Sequence, residues 1–301
     1  MSVTATAIPL EEPLAGGVEG ASLVVEPIDA GESLWPASNF DSRRRGPIAR
    51  ARGLGIGSKP DTWESRPVPA YLAHHPGVGP ILVDTGLHPS VVRDPKVNLG
   101  RASGKHYRVE EGRDIVSQLR ERGIAPADVA VVILTHLHED HASAIEVFPE
   151  SLFILSETEW EAATGRFTRL RGYRQSQFDF AFDYNTIDFD SDSIESYGAF
   201  GRTFDLFGDG SVRLAYTPGH SAGHMSVILR LPRRDFVVVG DAASDWRQFH
   251  GQAEPLMIED EHNWRRSLRE LRAFHRAYPY ALIVPGHDRE FFAKLERRYE
   301  E

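Results

Sequence analysis

The stretch Ile133-Leu134-Thr135-His136-Leu137-His138-Glu139-Asp140-His141-Ala142-Ser143-Ala144-Ile145 decides the reading of this chain. An apolar run over 129–134 leads into it, and it then sets His136, His138, Asp140 and His141 within six residues. The run predicts a buried strand ending at Thr135, a ligand-rich loop, and then the start of a helix. In extended backbone, His136 and His138 point to one side. Asp140 and His141 fall where the chain turns and face a second point nearby. Imidazole and carboxylate together suit zinc and similar divalent ions. A lone histidine is usually packed or solvated, but so dense an ionisable cluster after an apolar strand marks a site rather than packing.

The 301 residues are 41% hydrophobic, enough to bury a large core. The formal charge of -10 argues against a nucleic-acid groove, which needs local Lys and Arg. The run Arg43-Arg44-Arg45 reads as a solvated loop. With no cysteine there is no disulfide, no thiolate nucleophile and no Cys-ligated metal. The first twenty residues carry Glu11, Glu12 and Glu19 but no Lys or Arg, unlike a signal peptide. No apolar run is long enough to span a bilayer. The expectation is a soluble cytoplasmic protein acting on a small molecule, without nucleic-acid or membrane partners and with a homodimer left open.

Residues 1–20 read as a loose lead-in and 21–301 as one domain, with an aromatic-rich insertion at about 164–200. Strands are predicted at 22–26, 68–73, 80–83, 152–155, 212–217, 225–231, 235–239 and 281–284, with a long loop over 30–66. Helical spacing predicts helices at 110–122 and 263–277. The run Ser156-Glu157-Thr158-Glu159 has the capping-box pattern and starts another, to about Ala163. The aromatics of 164–200 fit either mutual packing or a wall over the loop of 136–141. Trp35 and Phe40 are further candidates for a substrate wall.

One pattern recurs. Apolar strands end in turns bearing Asp84, the 136–141 cluster, His220, Asp241 and His287. Gathered at one sheet edge, His136, His138, Asp140, His141, His220, Asp241 and His287 give five imidazoles and two carboxylates. That is enough for two metal ions if one carboxylate bridges them, and such ions make hydroxide from water near neutral pH. Zinc suits the set first; iron, manganese and cobalt are compatible.

In order along the chain, His136-x-His138-x-Asp140-His141, the Asp84-Thr85-Gly86 turn, Thr217-Pro218-Gly219-His220, Gly240-Asp241 and Gly286-His287 resemble the metallo-β-lactamase superfamily. Within it the chain looks most like the N-acyl homoserine lactonases. The resemblance implies an αββα sandwich with the metals at one edge of its two sheets. It assigns His136, His138 and His220 to one ion and Asp140, His141 and His287 to the other, with Asp241 bridging. It also implies that Asp84 orients ligands by hydrogen bonds and that a hydroxide shared by the ions attacks the lactone carbonyl. Asp140 would then carry a proton to the departing alkoxide. His224 is read as supporting the site or as structural. The chain departs from those lactonases at Ser244, where they have a tyrosine that helps polarise the substrate.

Two alternatives stand beside this. Gly219-x-Ser221-x-Gly223 matches the nucleophile elbow of serine hydrolases, with Asp241 and His287 following in order. That elbow needs a helix after the serine, whereas 225–231 is strand-like. The other alternative keeps the fold and changes the substrate to another ester, lactone or thioester.

Overall fold

The computed structural model describes residues 3–41 and 46–301, so Arg43-Arg44-Arg45 lies outside the described residues. Alternating apolar side chains dictate its layers. In β4 (Gly79–Val83), Ile81 and Val83 face one way and Leu82 the other; in β6 (Val131–Ile133), Val131 and Ile133 oppose Val132. Both faces of these strands are apolar, so each must be covered.

The first sheet has eight strands. Besides β4 and β6 these are β1 (Ala7–Pro9), β2 (Val24–Trp35), β3 (Glu64–His75), β5 (Tyr107–Arg108), β7 (Leu152–Ser156) and β8 (Asp183–Ile187), in the order β1-β8-β7-β6-β4-β3-β2-β5. The second has six: β9 (Glu195–Tyr197), β10 (Phe200–Asp205), β11 (Val212–Tyr216), β12 (Met225–Arg230), β13 (Asp235–Gly240) and β14 (Leu282–Pro285), ordered β14-β13-β12-β11-β10-β9. Tyr71, Ile81, Ile133, Leu214, Val227, Phe236 and Val284 fill the core between the sheets. Helices Ile115–Glu121 and Glu157–Thr164 cover the outer face of the first sheet, and Glu261–Ala277 covers the second through Trp264, Leu268, Leu271 and Phe274. The result is the αββα sandwich expected from the resemblance.

β4 and β6 run parallel, as do β13 and β14, and two antiparallel pairings through β12 give β11 the direction of β13. Their C-terminal ends therefore share one edge. This is the topological reason why Asp84, the 136–141 loop, His220, Asp241 and His287 meet.

Several local expectations change. Residues 30–35 and 64–66, read as loop, extend β2 and β3 to twelve residues each. The register slips between Asp29 and Glu32, where Gly31 has φ 138° and a Cβ would lie 2.6 Å from Leu87 Cδ1. That bulge hides the strand alternation from a sequence reading. The lead-in is not loose throughout, because β1 pairs with β8 and Leu10 and Leu14 pack on the inter-sheet core. The helix predicted from Glu110 begins only at Ile115, because the Asp114 side chain caps the Ser117 N–H at 3.0 Å. No helix follows the 136–141 loop directly; a single 3-10 turn, Ile145–Val147, comes instead. No helix among the described residues is long and apolar enough to cross a membrane.

Phe153 is fully buried, stacked on Phe182 at 5.7 Å and tilted against Tyr184 at 5.2 Å. Phe153→Ala is expected to cost about 3–5 kcal/mol, read as a lowered midpoint in chemical denaturation.

Candidate metal centre

Asp84 sits at the end of β4 in left-handed backbone, φ 56°. The turn aims its carboxylate under the loop leaving β6. Asp84 Oδ1 accepts from the Thr135 N–H at 2.8 Å, and Oδ2 accepts from Thr135 Oγ1 at 2.8 Å and from His141 Nδ1 at 2.8 Å. Thr85 Oγ1 donates to the His141 carbonyl at 2.7 Å and accepts from the Ala144 N–H at 3.0 Å. Side chains thus take up backbone groups that a helix would otherwise pair, which is why none forms here.

Three of the histidines share one arrangement. His138 donates from Nε2 to the Arg171 carbonyl at 2.8 Å and turns Nδ1 inward; His287 donates from Nδ1 to the Pro67 carbonyl at 2.8 Å and turns Nε2 inward. His141 does the same from Asp84. An outer hydrogen bond fixing tautomer and ring angle is how proteins set metal-ligating imidazoles. The buried inward atoms His136 Nε2 and His141 Nε2 have no hydrogen-bond partner. Orphaned buried nitrogens are costly unless something else binds them, so this donor set fits a divalent ion.

All seven residues expected from sequence converge. Donor atoms within 4.8 Å of one another form three trios: His136, His138, His220; His136, His141, Asp241; and Asp140, His141, His287. His220 Nε2 lies 2.9 Å from His138 Nδ1 and 3.2 Å from Asp241 Oδ2. His287 Nε2 is 2.9 Å from Asp241 Oδ1 and 3.8 Å from Asp140 Oδ2. Burial, then the neighbouring imidazoles, holds His136 and His138 well below the usual histidine range. Burial also pushes His141 down, but Asp84, Asp140 and Asp241 outweigh it and lift it to about 10. Burial opposes ionisation of Asp241, yet His287, His220 and His141 hold it well below the usual carboxylate range.

His224 supports the site. Its Nε2 accepts the Asp241 N–H at 3.0 Å, and Nδ1 meets Thr217 Oγ1 at 3.0 Å. Burial lowers its pKa to about 3, so it remains the neutral acceptor this bond needs. Gly240, φ 58°, leaves room for it: a Cβ there would lie 2.6 Å from His224 Nε2. Ser244 lines the cavity, and its carbonyl accepts the His287 N–H at 2.8 Å.

Glu159 is a supporting residue that the capping-box pattern concealed. Ser156 does cap the helix, accepting the Glu159 N–H at 3.1 Å. The fully buried Glu159 carboxylate instead accepts from the Leu137 N–H at 3.0 Å, Ser221 Oγ at 2.7 Å and the Gly223 N–H at 3.0 Å. It clamps the loop of His136 and His138 to the loop of His220 and His224. The same bonds dispose of the serine-hydrolase alternative. Ser221 is fully buried with its hydroxyl committed to Glu159, and strand β12 follows rather than a helix.

A cavity of about 350 Å³ opens on the cluster. His138, Asp140, His220, Asp241 and His287 line its base, and Trp35, Phe40, Leu54, Leu170, Pro255 and Met257 form apolar walls. Trp35 and Phe40 thus stand where a substrate wall was expected. The aromatics of 164–200 mostly do not. Phe178 is fully buried, Phe180 and Phe182 stack at 5.2 Å, and Phe189 stacks on Tyr216. That segment reaches the cavity through Arg169, Leu170 and Gly172. Other histidines are packed or paired: His75 on Asp209 at 3.0 Å, His74 on Glu26 at 3.0 Å, and His106 between Trp35 and Trp63.

The sequence profile of the metallo-beta-lactamase superfamily matches residues 64–287. The chain belongs to the metallo-beta-lactamase superfamily. It is similar to the N-acyl homoserine lactonase AttM of Rhizobium radiobacter, 30% identical over 238 residues, 78% of this chain and 86% of that one. A solved Bacillus thuringiensis AiiA variant with N-decanoyl-L-homoserine bound at its active site superposes with TM-score 0.70 at 25% identity, over 93% of this chain and 97% of that one. An N-acyl homoserine lactone hydrolase with N-hexanoyl-L-homoserine at its catalytic metal centre matches equally, at TM-score 0.70, 25% identity and the same coverage. Within the superfamily the chain is a hydrolase of the lactonase-like group.

Two outcomes check this site. Glu159→Ala is expected to weaken metal binding about 10–100-fold in competition with a chromogenic chelator, because the two loops lose their common anchor. His136→Ala is expected to abolish hydrolysis while Ser221→Ala keeps most of it, measured as initial rates on one ester.

Proposed function

We propose that this protein is a dinuclear metal-dependent lactonase that opens N-acyl homoserine lactones and so quenches quorum signals. The observation that carries the reading is the set of seven inward-facing donors at the foot of an apolar-walled cavity. His136, His138 and His220 would hold one ion, Asp140, His141 and His287 the other, and Asp241 both. A thiol-free His and Asp set suits zinc first. When bound, such ions supply a nucleophilic hydroxide near neutral pH and polarise an ester oxygen.

The chain's own residues do the rest. Asp84, His224 and Glu159 hold the donors in place through the bonds described above. Trp35, Phe40, Leu54 and Met257 exclude water and receive an acyl chain, burying apolar surface at roughly 25 cal/mol per Å². Asp140, at the cavity base, takes the nucleophile's proton and returns it to the alkoxide oxygen as the ring opens. The AiiA-type relatives with acyl-homoserine products support the lactone over other esters. Ser244, in place of a tyrosine, supports the alternative of a metallo-esterase or thioesterase with the same machinery.

One panel separates the readings. Dialysis against a strong chelator is expected to abolish hydrolysis and added Zn²⁺ to restore it. Homoserine lactones with hexanoyl to decanoyl chains are expected to turn over faster than plain aryl esters and thioesters. Inert lactones beside an active ester would leave the hydrolase and remove the lactonase.

A further inference from the structure

The cavity base carries two carboxylates, Asp140 and Asp241, on the side where an ester carbonyl must sit. Negative charge developing on that carbonyl oxygen needs a donor from the chain as well as from any ion. Most polar groups in the lining are unsuited or already engaged. Asn39 Nδ2 donates to the Gly53 carbonyl at 3.2 Å, the Glu139 carboxylate binds Arg174 at 2.8 Å and Ser103, and Arg169 is exposed at the mouth.

Tyr107 is engaged too, but with Asp140 of the cavity base itself. It lies on the two-residue strand β5, opposite Ser33 of β2, and both residues face the cavity. Its ring is buried in a small core with Val68, Leu87 and Leu99 and meets Trp35 edge-on at 6.5 Å and 84°. Trp35 in turn stacks on His106 at 3.8 Å, and His106 on Trp63 at 4.6 Å. This stack immobilises the phenol, while its hydroxyl end shares the cavity with Asp140 and Asp241. The Tyr107 hydroxyl lies within hydrogen-bonding reach of the Asp140 carboxylate, with Glu139 and Asp241 nearby. That contact holds the phenol's proton at the cavity base, where an entering ester carbonyl would meet it.

We propose that Tyr107 is a catalytic residue whose hydroxyl donates a hydrogen bond to the substrate's carbonyl oxygen as the tetrahedral intermediate forms. The inference rests on the hydrolytic reading above and not on the identity of the ester. The nucleophile's oxygen bonds to the carbonyl carbon, and the π pair moves onto the carbonyl oxygen. Tyr107 shifts its hydrogen bond from Asp140 to that oxygen and keeps its proton. The pair then returns, the ester C–O bond breaks, and an alkoxide leaving group takes its proton from Asp140. Tyr107 thereby supplies, from another segment of the cavity lining, a phenol that the Ser244 position lacks.

The test is Tyr107→Phe in the metal-loaded protein, assayed on N-hexanoyl homoserine lactone, ethyl hexanoate and 4-nitrophenyl hexanoate, with bound metal counted. The expected result is a loss in kcat of about 10²–10³-fold on every substrate turned over, with KM and metal content little changed. Unchanged kcat overturns the proposal. So does a loss confined to the lactone and ethyl ester, because a nitrophenolate leaves without a proton and such a pattern means action through Asp140. Loss of metal would make the role structural and also overturn it. If wild type spares the lactone but cleaves both esters, the lactone reading falls and the two esters decide the role of Tyr107. A wild type inert to all three overturns both.

Discussion

Asp84 is the constraint on which the site depends. One carboxylate, bent into left-handed backbone, ties down the Thr135 N–H and hydroxyl and the outer nitrogen of His141. Without it the loop would regain the freedom to pair its backbone as a helix, and the histidines would lose their common direction. The sheet supplies the other half of the constraint. Strand ends set by parallel pairing bring Asp241 and His287 to the same edge without any direct contact in sequence. His141, His138, His287 and Asp241 are then held from behind, by Asp84, the Arg171 carbonyl, the Pro67 carbonyl and His224. These outer bonds leave those four ligands little rearrangement for an ion or substrate to induce.

What could be read beforehand follows from how local each signal is. The cluster of 136–141 is contiguous, so its chemistry shows in six letters. Asp84, His220, Asp241 and His287 are each a single residue after an apolar run, legible because a buried strand reads the same wherever it lies. The full length of β2 does not show in its letters, because Gly31 breaks the alternation with a bulge that only pairing to β3 explains. Glu159 hides in its spacing, which serves two purposes: Ser156 caps the helix while the carboxylate turns inward to other loops. Tyr107 carried no signal at all. A two-residue strand has no periodicity, and its place beside Asp140 comes from the β2–β5 pairing.

The division of labour between cage and walls is also physical. Ligands sit on strand ends of both sheets, where the backbone is fixed by pairing. The apolar walls come from other segments, the end of β2, the helices near Phe40 and Leu54, and the stretch around Leu170 and Met257. Leu170 is 81% exposed, so this rim is held by few contacts. Changes there alter the shape offered to a substrate while leaving the donors untouched, which suits a scaffold whose relatives process related esters.

The absence of cysteine has a last consequence. Every donor is an imidazole or a carboxylate, neither of which climbs the sulfur oxidation ladder, so peroxide has no thiolate to strip from the cage. Sulfur chemistry is confined to methionine. Met225 is sealed in the inter-sheet core, and Met257 stands half-buried on the cavity wall. Under oxidative stress the first injury would therefore fall on how greasy the pocket is, a lesion that sulfoxide reductases can repair, rather than on the cage itself.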